Sequence, residues 1–133
     1  MKSIAALMLA AALAACATAE PREDPFAADQ EAPQASIAFA DFGSIRSFRP
    51  LGDDAVLLEG AHGRWYRATF FGSCPDLPFT ESVAMDSDAA GRVDRFSAII
   101  VRGRRCAFRT LVEVPDPDAA AEEAAPAEAE EPR

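Results

Sequence analysis

The sequence has few of the residues that enzymes use for acid–base or metal chemistry. It contains one histidine, His62, in a Gly-Ala-His-Gly turn, and its three cysteines form no Cys-x-x-Cys pair. Two cysteines with one distant histidine do not make a zinc site, and no serine lies in a nucleophile-elbow sequence. We therefore predict no metal, no cofactor and no enzymatic activity. A small hydrolase with a site around His62 is the alternative.

The chain also lacks a basic excess. Its formal net charge is -9, and the excess acids lie in the flanks, with five acids against one base in residues 17–35 and seven against one in residues 115–133. Residues 36–114 carry ten acids and ten bases. Nucleic-acid binding requires a clustered basic face, and a neutral middle segment does not predict one. We expect no nucleic-acid partner.

The apolar run at the N-terminus is too short to span a membrane. It covers residues 4–15 and follows Lys2, whereas a helix needs roughly 20 apolar residues to cross a bilayer. Such a segment is typical of a secretion signal. The sequence Leu-Ala-Ala-Cys at 13–16 resembles the lipobox of bacterial lipoproteins, in which a peptidase cuts before the cysteine. The alternative is an ordinary signal peptide that is cut near Ala19.

The lipobox resemblance implies a location in the cell. Residues 1–15 would be a lipoprotein signal peptide, and Cys16 would carry the lipid that attaches the mature chain to the membrane. Ala17 is not the aspartate that marks retention in the inner membrane. The expected location is therefore the periplasmic face of the outer membrane in a Gram-negative envelope.

The flanks of the middle segment are rich in proline and acidic residues. Residues 16–35 predict a flexible spacer, in which Phe26 is either solvated or a hook onto the domain. Residues 115–133 are low-complexity Ala, Glu and Pro and predict a disordered acidic tail. Docking of this tail onto an arginine cluster is the alternative.

Short runs of apolar and β-branched residues separated by turn residues predict six strands in residues 36–114. They cover residues 44–51, 55–59, 65–71, 81–86, 99–102 and 106–114. The pattern predicts an all-β fold, a single-domain antiparallel meander or small barrel. We expect Arg67 to reach past its neighbours to water. Alternation predicts that Cys106, Phe108 and every second residue up to Val114 line one face.

Two cysteines remain once Cys16 is assigned to lipid. Cys74 and Cys106 are separated by 32 residues, in a chain expected to reach an oxidising compartment. They predict one disulfide, which a domain of this small size needs for stability.

The densest basic cluster of the chain consists of Arg102, Arg104, Arg105 and Arg109. Arginine pairs with carboxylate or phosphate groups through two parallel hydrogen bonds. The cluster is thus a candidate site for an envelope partner. A solvated strand face is the alternative, and we expect a monomeric domain.

Several short motifs together resemble the domain-of-unknown-function family 6491, whose members are small exported or lipid-anchored proteins of Gram-negative bacteria. The motifs are Ile-Arg-Ser-Phe at 45–48, Glu-Gly at 59–60, Arg-Trp-Tyr-Arg at 64–67, Phe-Gly at 71–72, Cys-Pro-x-Leu at 74–77 and Arg-Cys-x-Phe at 105–108. The likeness covers residues 36–114. It departs from the family pattern at residues 92–96, which read Arg-Val-Asp-Arg-Phe. The resemblance implies the fold and the location. It does not imply any activity, because the family has none assigned.

Overall fold

The protein forms one curled antiparallel sheet. The computed structural model describes residues 23–40 and 43–124. Its strands are β1 (Ser47–Leu51), β2 (Ala55–Glu59), β3 (Trp65–Phe70), β4 (Ala84–Asp86), β5 (Ala98–Val101) and β6 (Arg104–Val114), and one helix, α1, follows at Pro117–Ala124. The strand order is β1-β2-β3-β6-β5-β4. The sheet curls into a half-barrel, which confirms the predicted all-β fold of six strands.

The concave face of the half-barrel holds the core. The strand pairing places Leu58 opposite Tyr66 and Ala68 opposite Leu111, so that neighbouring strands turn these side chains to the same side. Phe70 and Phe108 stack there with ring centroids 5.9 Å apart. These apolar side chains exclude water because the sheet curls around them.

A β-bulge in β6 changes which side chains face the core. Thr69 pairs with Thr110, whereas the next residue, Phe70, pairs with Phe108, so that Arg109 is the extra residue. A bulge of this kind shifts the alternation by one residue. Cys106 and Phe108 face the core, but beyond the bulge Leu111 takes that position. The prediction that one face continues from Cys106 to Val114 is therefore wrong beyond Arg109.

The disulfide between Cys74 and Cys106 joins the loop after β3 to the sixth strand. Its Cα atoms are 5.9 Å apart, and Cys74 is fully buried. Leu77, three residues later, is also fully buried, and it is the first residue of a short 3-10 helix, Leu77–Phe79. The predicted disulfide is confirmed, and it fixes this loop across one end of the core.

The N-terminal strap, which we define as residues 23–36, crosses the free edge of β6. Leu111 binds the strap through both backbone groups, because its carbonyl accepts from the Ala35 amide at 2.7 Å and its amide donates to Gln34 Oε1 at 2.9 Å. Beyond residue 107, β6 no longer pairs with β5. The strap therefore satisfies backbone groups that an open strand edge would leave unpaired.

Past this edge the strap lies on the convex face of the sheet. Its 3-10 helix, Ala27–Gln30, packs on β6, and Asp29 forms two hydrogen bonds with Arg67. Residues 23–35 contact the domain, because a partly buried ion pair and main-chain bonds hold them. Arg67 is predicted to reach water; its guanidinium binds Asp29, and its side chain remains 29 % exposed.

The C-terminal flank also has a defined start. Helix α1 contacts the sheet through Asp118, which accepts two hydrogen bonds from Arg49 at 2.8 Å. Arg49 in turn stacks over the ring of Trp65. This contact places the start of α1 on the face of β1 that carries Arg49. The predictions for residues 1–15, 16–22 and 125–133 lie outside the described residues.

Candidate functional site

An open groove separates the two edge strands of the half-barrel. β1 and β4 each pair with only one neighbour, and no hydrogen bond joins their main chains in the part of the chain that the structure describes. The groove has a volume of about 460 Å³. Its lining residues are Ala40, Gly43, Ile45, Arg46, Ser47, Phe48, Ser82, Val83 and Met85.

The floor and walls of the groove are mostly apolar. Ile45 and Phe48 line one side and Val83 and Met85 the other, and all four pack against the core while remaining partly exposed. The 3-10 helix Leu77–Phe79 contacts β1. A pocket of this size with apolar walls is within the range of sites that bind small ligands or short peptide segments.

Among the described residues that line the groove, Arg46 is the one with a charged side chain. It is exposed and forms no ion pair or side-chain hydrogen bond with the described residues. The neighbouring Ser47 hydroxyl is occupied, since it donates to Glu59 Oε2 at 2.6 Å. In the described part of the chain, the groove therefore combines apolar walls with one cation, Arg46, that has no acidic partner.

The predicted arginine cluster is divided between the start and the middle of β6. Arg102 lies in the turn before the strand and donates to the carbonyl of Phe79, and Arg105 forms an ion pair with Asp86 at 2.6 Å. Arg109 lies at the bulge, 3.6 Å from an Asp24 oxygen and over the ring of Phe71. Arg104 is exposed and has no side-chain partner among the described residues. The use of the arginine cluster as a partner site stays a prediction.

His62 is exposed in the turn between β2 and β3. Its backbone is left-handed, with φ of 59°. No described residue forms a hydrogen bond or ion pair with its imidazole, so nothing in this part of the chain orients the ring or shares its proton. The described residues also contain no group of three or more potential metal ligands.

Two ion pairs and one loop shift the pKa values of exposed or partly exposed groups. Hydrogen bonds to Asp29 raise the pKa of Arg67, and hydrogen bonds to Asp118 raise the pKa of Arg49. The same contact lowers the pKa of Asp118. The backbone amides of Arg92 and Ala90 lower the pKa of Asp88. None of these four groups lines the groove.

The sequence motifs coincide with positions of tight packing. Gly60 is buried, and a Cβ atom there would lie 2.8 Å from Tyr66 Cε2, so that only glycine fits. The Cys-Pro-x-Leu and Arg-Cys-x-Phe motifs supply the disulfide and the buried side chains of Leu77 and Phe108. These motifs therefore lie at positions that define the fold.

The chain matches the family of unknown function DUF6491 over residues 1–131. It belongs to this family. The DUF6491 match is wider than the resemblance in residues 36–114, since it includes the N-terminal segment and both flanks of the sheet. No curated protein and no solved structure shows significant similarity to the chain. No helix among the described residues is long and apolar enough to cross a membrane.

The sequence did not predict the groove, and it indicated docking of the strap only through the alternative that Phe26 is a hook onto the domain. Phe39, Phe42, Ile45, Phe48 and Leu51 recur every three residues, a spacing that fits neither a helix nor a regular strand. Two of them, Ile45 and Phe48, line the groove. In the strap, the isolated Phe26 was the available signal, and its ring lies 5.3 Å from the Arg67 guanidinium carbon.

Proposed function

We propose that this protein is a lipoprotein of the Gram-negative envelope that acts as a non-enzymatic binding module. Lipid on Cys16 would hold it at the periplasmic face of the outer membrane. The lipobox at residues 13–16 supports this location, and the family match begins at residue 1. The disulfide between Cys74 and Cys106 suits an oxidising compartment such as the periplasm.

The open groove between β1 and β4 is the observation that carries the binding role. Among the described residues, the outer main-chain groups of β1 and β4 have no main-chain partner, and the walls offer apolar contacts from Ile45, Phe48, Val83 and Met85. An extended peptide can add to such an edge, because main-chain hydrogen bonds supply affinity and side-chain pockets supply specificity. The proposed ligand is an extended, largely apolar segment of another envelope protein.

Arg46 adds a charge preference to this proposal. It stands at the groove with no acidic partner among the described residues. A carboxylate in the bound segment, or its free C-terminus, would form a charge-assisted hydrogen bond with the guanidinium. The preferred segment therefore combines alternating apolar side chains with one acidic group.

Site-specific photocrosslinking in intact cells tests the groove. A photoreactive phenylalanine analogue at Phe48 or Val83 should yield one crosslinked envelope protein of defined mass. The same analogue at Arg64, an exposed residue outside the groove, is the matched control and should yield none. Equal products at all three positions, or none at the groove positions, would contradict the proposed site.

A charge variant gives a second readout. Val83→Arg places a cation in the apolar wall of the groove and should abolish the crosslink at Phe48, while Arg64→Ala should leave it intact. Arg46→Gln should weaken the crosslink if an acidic group is recognised. Retention of the full crosslink in Val83→Arg would mean that the captured protein lies outside the groove.

A further inference from the structure

Two large aromatic side chains are exposed next to the point where the described chain begins. Phe71 is 67 % exposed and Phe96 is 77 % exposed. The Phe71 amide bonds to the Ala107 carbonyl, and Ala98 pairs with Ala107 from the other side. Phe96 lies two residues before Ala98, so both aromatic residues lie beside residues 107–109 of β6.

The strap starts at the same place. Asp24 lies 3.6 Å from Arg109, and Arg109 stacks over Phe71. The strap then covers the convex face around Arg67 and Asp29 and leaves Phe71 exposed at its border. The chain therefore leaves the described domain beside Phe71.

Residues 17–22 are the only residues between Cys16 and the strap. Seven Cα–Cα steps can span at most about 25 Å, whatever their conformation. The spacer of 16–35 would have allowed roughly 60 Å, had all of it been extended. Docking of the strap thus limits the distance between Cys16 and the start of the strap, beside Phe71, to about 25 Å.

We infer that Phe71, Phe96 and the flanking Arg95 and Arg109 form a membrane-facing surface that contacts the bilayer interface. This inference rests on the proposed lipid anchor at Cys16. Aromatic side chains insert at the boundary of headgroups and acyl chains, and arginine can extend from there to the headgroups. Arg95 already stacks on Phe96 as Arg109 does on Phe71, so each aromatic residue carries a cation beside it.

The charge of this surface indicates whether its contact with the bilayer requires anionic lipid. Asp24 lies near Arg109, and Asp94 lies in the turn that holds Phe96, where its carboxylate accepts from the Phe96 amide. Acids and bases therefore balance, and attraction to anionic lipid is not required. The occupant is the interface of the bilayer that holds the lipid anchor, the aromatic rings supply the contact, and neutral phosphatidylcholine vesicles are a suitable probe.

Depth-dependent quenching of tryptophan fluorescence tests the inference on the lipidated full-length protein in phosphatidylcholine vesicles. Phe71→Trp and Phe96→Trp are compared with Phe79→Trp. Phe79 is 74 % exposed, and its carbonyl accepts from Arg102, which precedes β6. Along the chain, Arg102 and Arg109 are about 20 Å apart at the rise of an extended strand. The parent protein, whose one tryptophan, Trp65, is buried, gives the baseline.

Brominated acyl chains should quench the emission added at positions 71 and 96 and leave that at position 79 unchanged. Equal quenching at positions 71 and 79, or none at 71 and 96 in vesicle-bound protein, would overturn the membrane-facing surface. If the protein does not associate with vesicles at all, the lipid anchor itself fails, and the inference fails with it.

Discussion

Asp29 in the strap accepts two hydrogen bonds of 2.7 Å from the guanidinium of Arg67, a residue 38 positions later in β3. The Asp29 side chain is 6 % exposed and that of Arg67 is 29 % exposed. This pair joins the strap to the convex face of the sheet, and it turns a stretch of acids and prolines into part of the domain.

Asp29→Ala should lower the free energy of unfolding by about 2–3 kcal/mol, because it leaves the Arg67 charge largely buried without a partner. Urea denaturation of the mature domain measures the change. Asp118→Ala, which removes the exposed partner of Arg49, is the matched control and should change the midpoint little. Similar losses in both variants would contradict the special role of the strap.

The two threonines that pair across β3 and β6 should behave as a unit. Thr69 Oγ1 and Thr110 Oγ1 are 2.6 Å apart and buried. Thr110→Val should cost about 1–2 kcal/mol because it leaves the Thr69 hydroxyl unsatisfied, whereas the double variant Thr69→Val/Thr110→Val should recover most of that loss. Additive losses in the double variant would show that the hydrogen bond is not the cause.

Loss of the disulfide should destabilise the domain by about 3 kcal/mol, as expected for a closed loop of this length. Cys74→Ser and Cys106→Ser should fall equally in envelope abundance, since each removes the same bond. Mass analysis after alkylation without reduction is the direct check. Free labelling of both thiols in the native protein would contradict the bond.

Acid should weaken the loop at residues 88–92. The amides of Arg92 and Ala90 lower the pKa of Asp88 in the folded state, so the unfolded state binds its proton at a higher pH. The resulting stability is present above the ordinary aspartate pKa of about 3.9 and is lost as the pH falls through the lower folded value. Urea midpoints between pH 6 and pH 3 measure this loss, and Asp88→Asn should show a smaller decrease than the parent.

Cys16→Ser should release the protein from the membrane fraction. The lipobox resemblance implies acylation of this cysteine, and several acyl chains give stable anchoring where one is marginal. Density-gradient fractionation should place the parent with the outer membrane and the variant in the periplasmic fraction. Recovery of the serine variant with the membranes would show that another feature holds the protein there.

The sequence by itself determined the strands, the disulfide and the family. The second strand, Ala55–Glu59, has the predicted bounds, because turn residues mark both of its ends and such signals are local. The cysteine pair could be predicted by counting once Cys16 was assigned to lipid. The family could be recognised because its motifs lie at buried or sterically restricted positions such as Gly60 and Phe108.

Tertiary structure alone decided how the flanks and the edges are used. The bulge at Arg109 reverses the faces of β6, and it depends on pairing with β3, some 40 residues away in the chain. The strap docks because Asp29 meets Arg67 and Gln34 meets Leu111. The groove exists because the sheet curls without joining β1 to β4. These features depend on contacts between residues that are far apart in sequence, and no local pattern of apolar and polar residues contains that information.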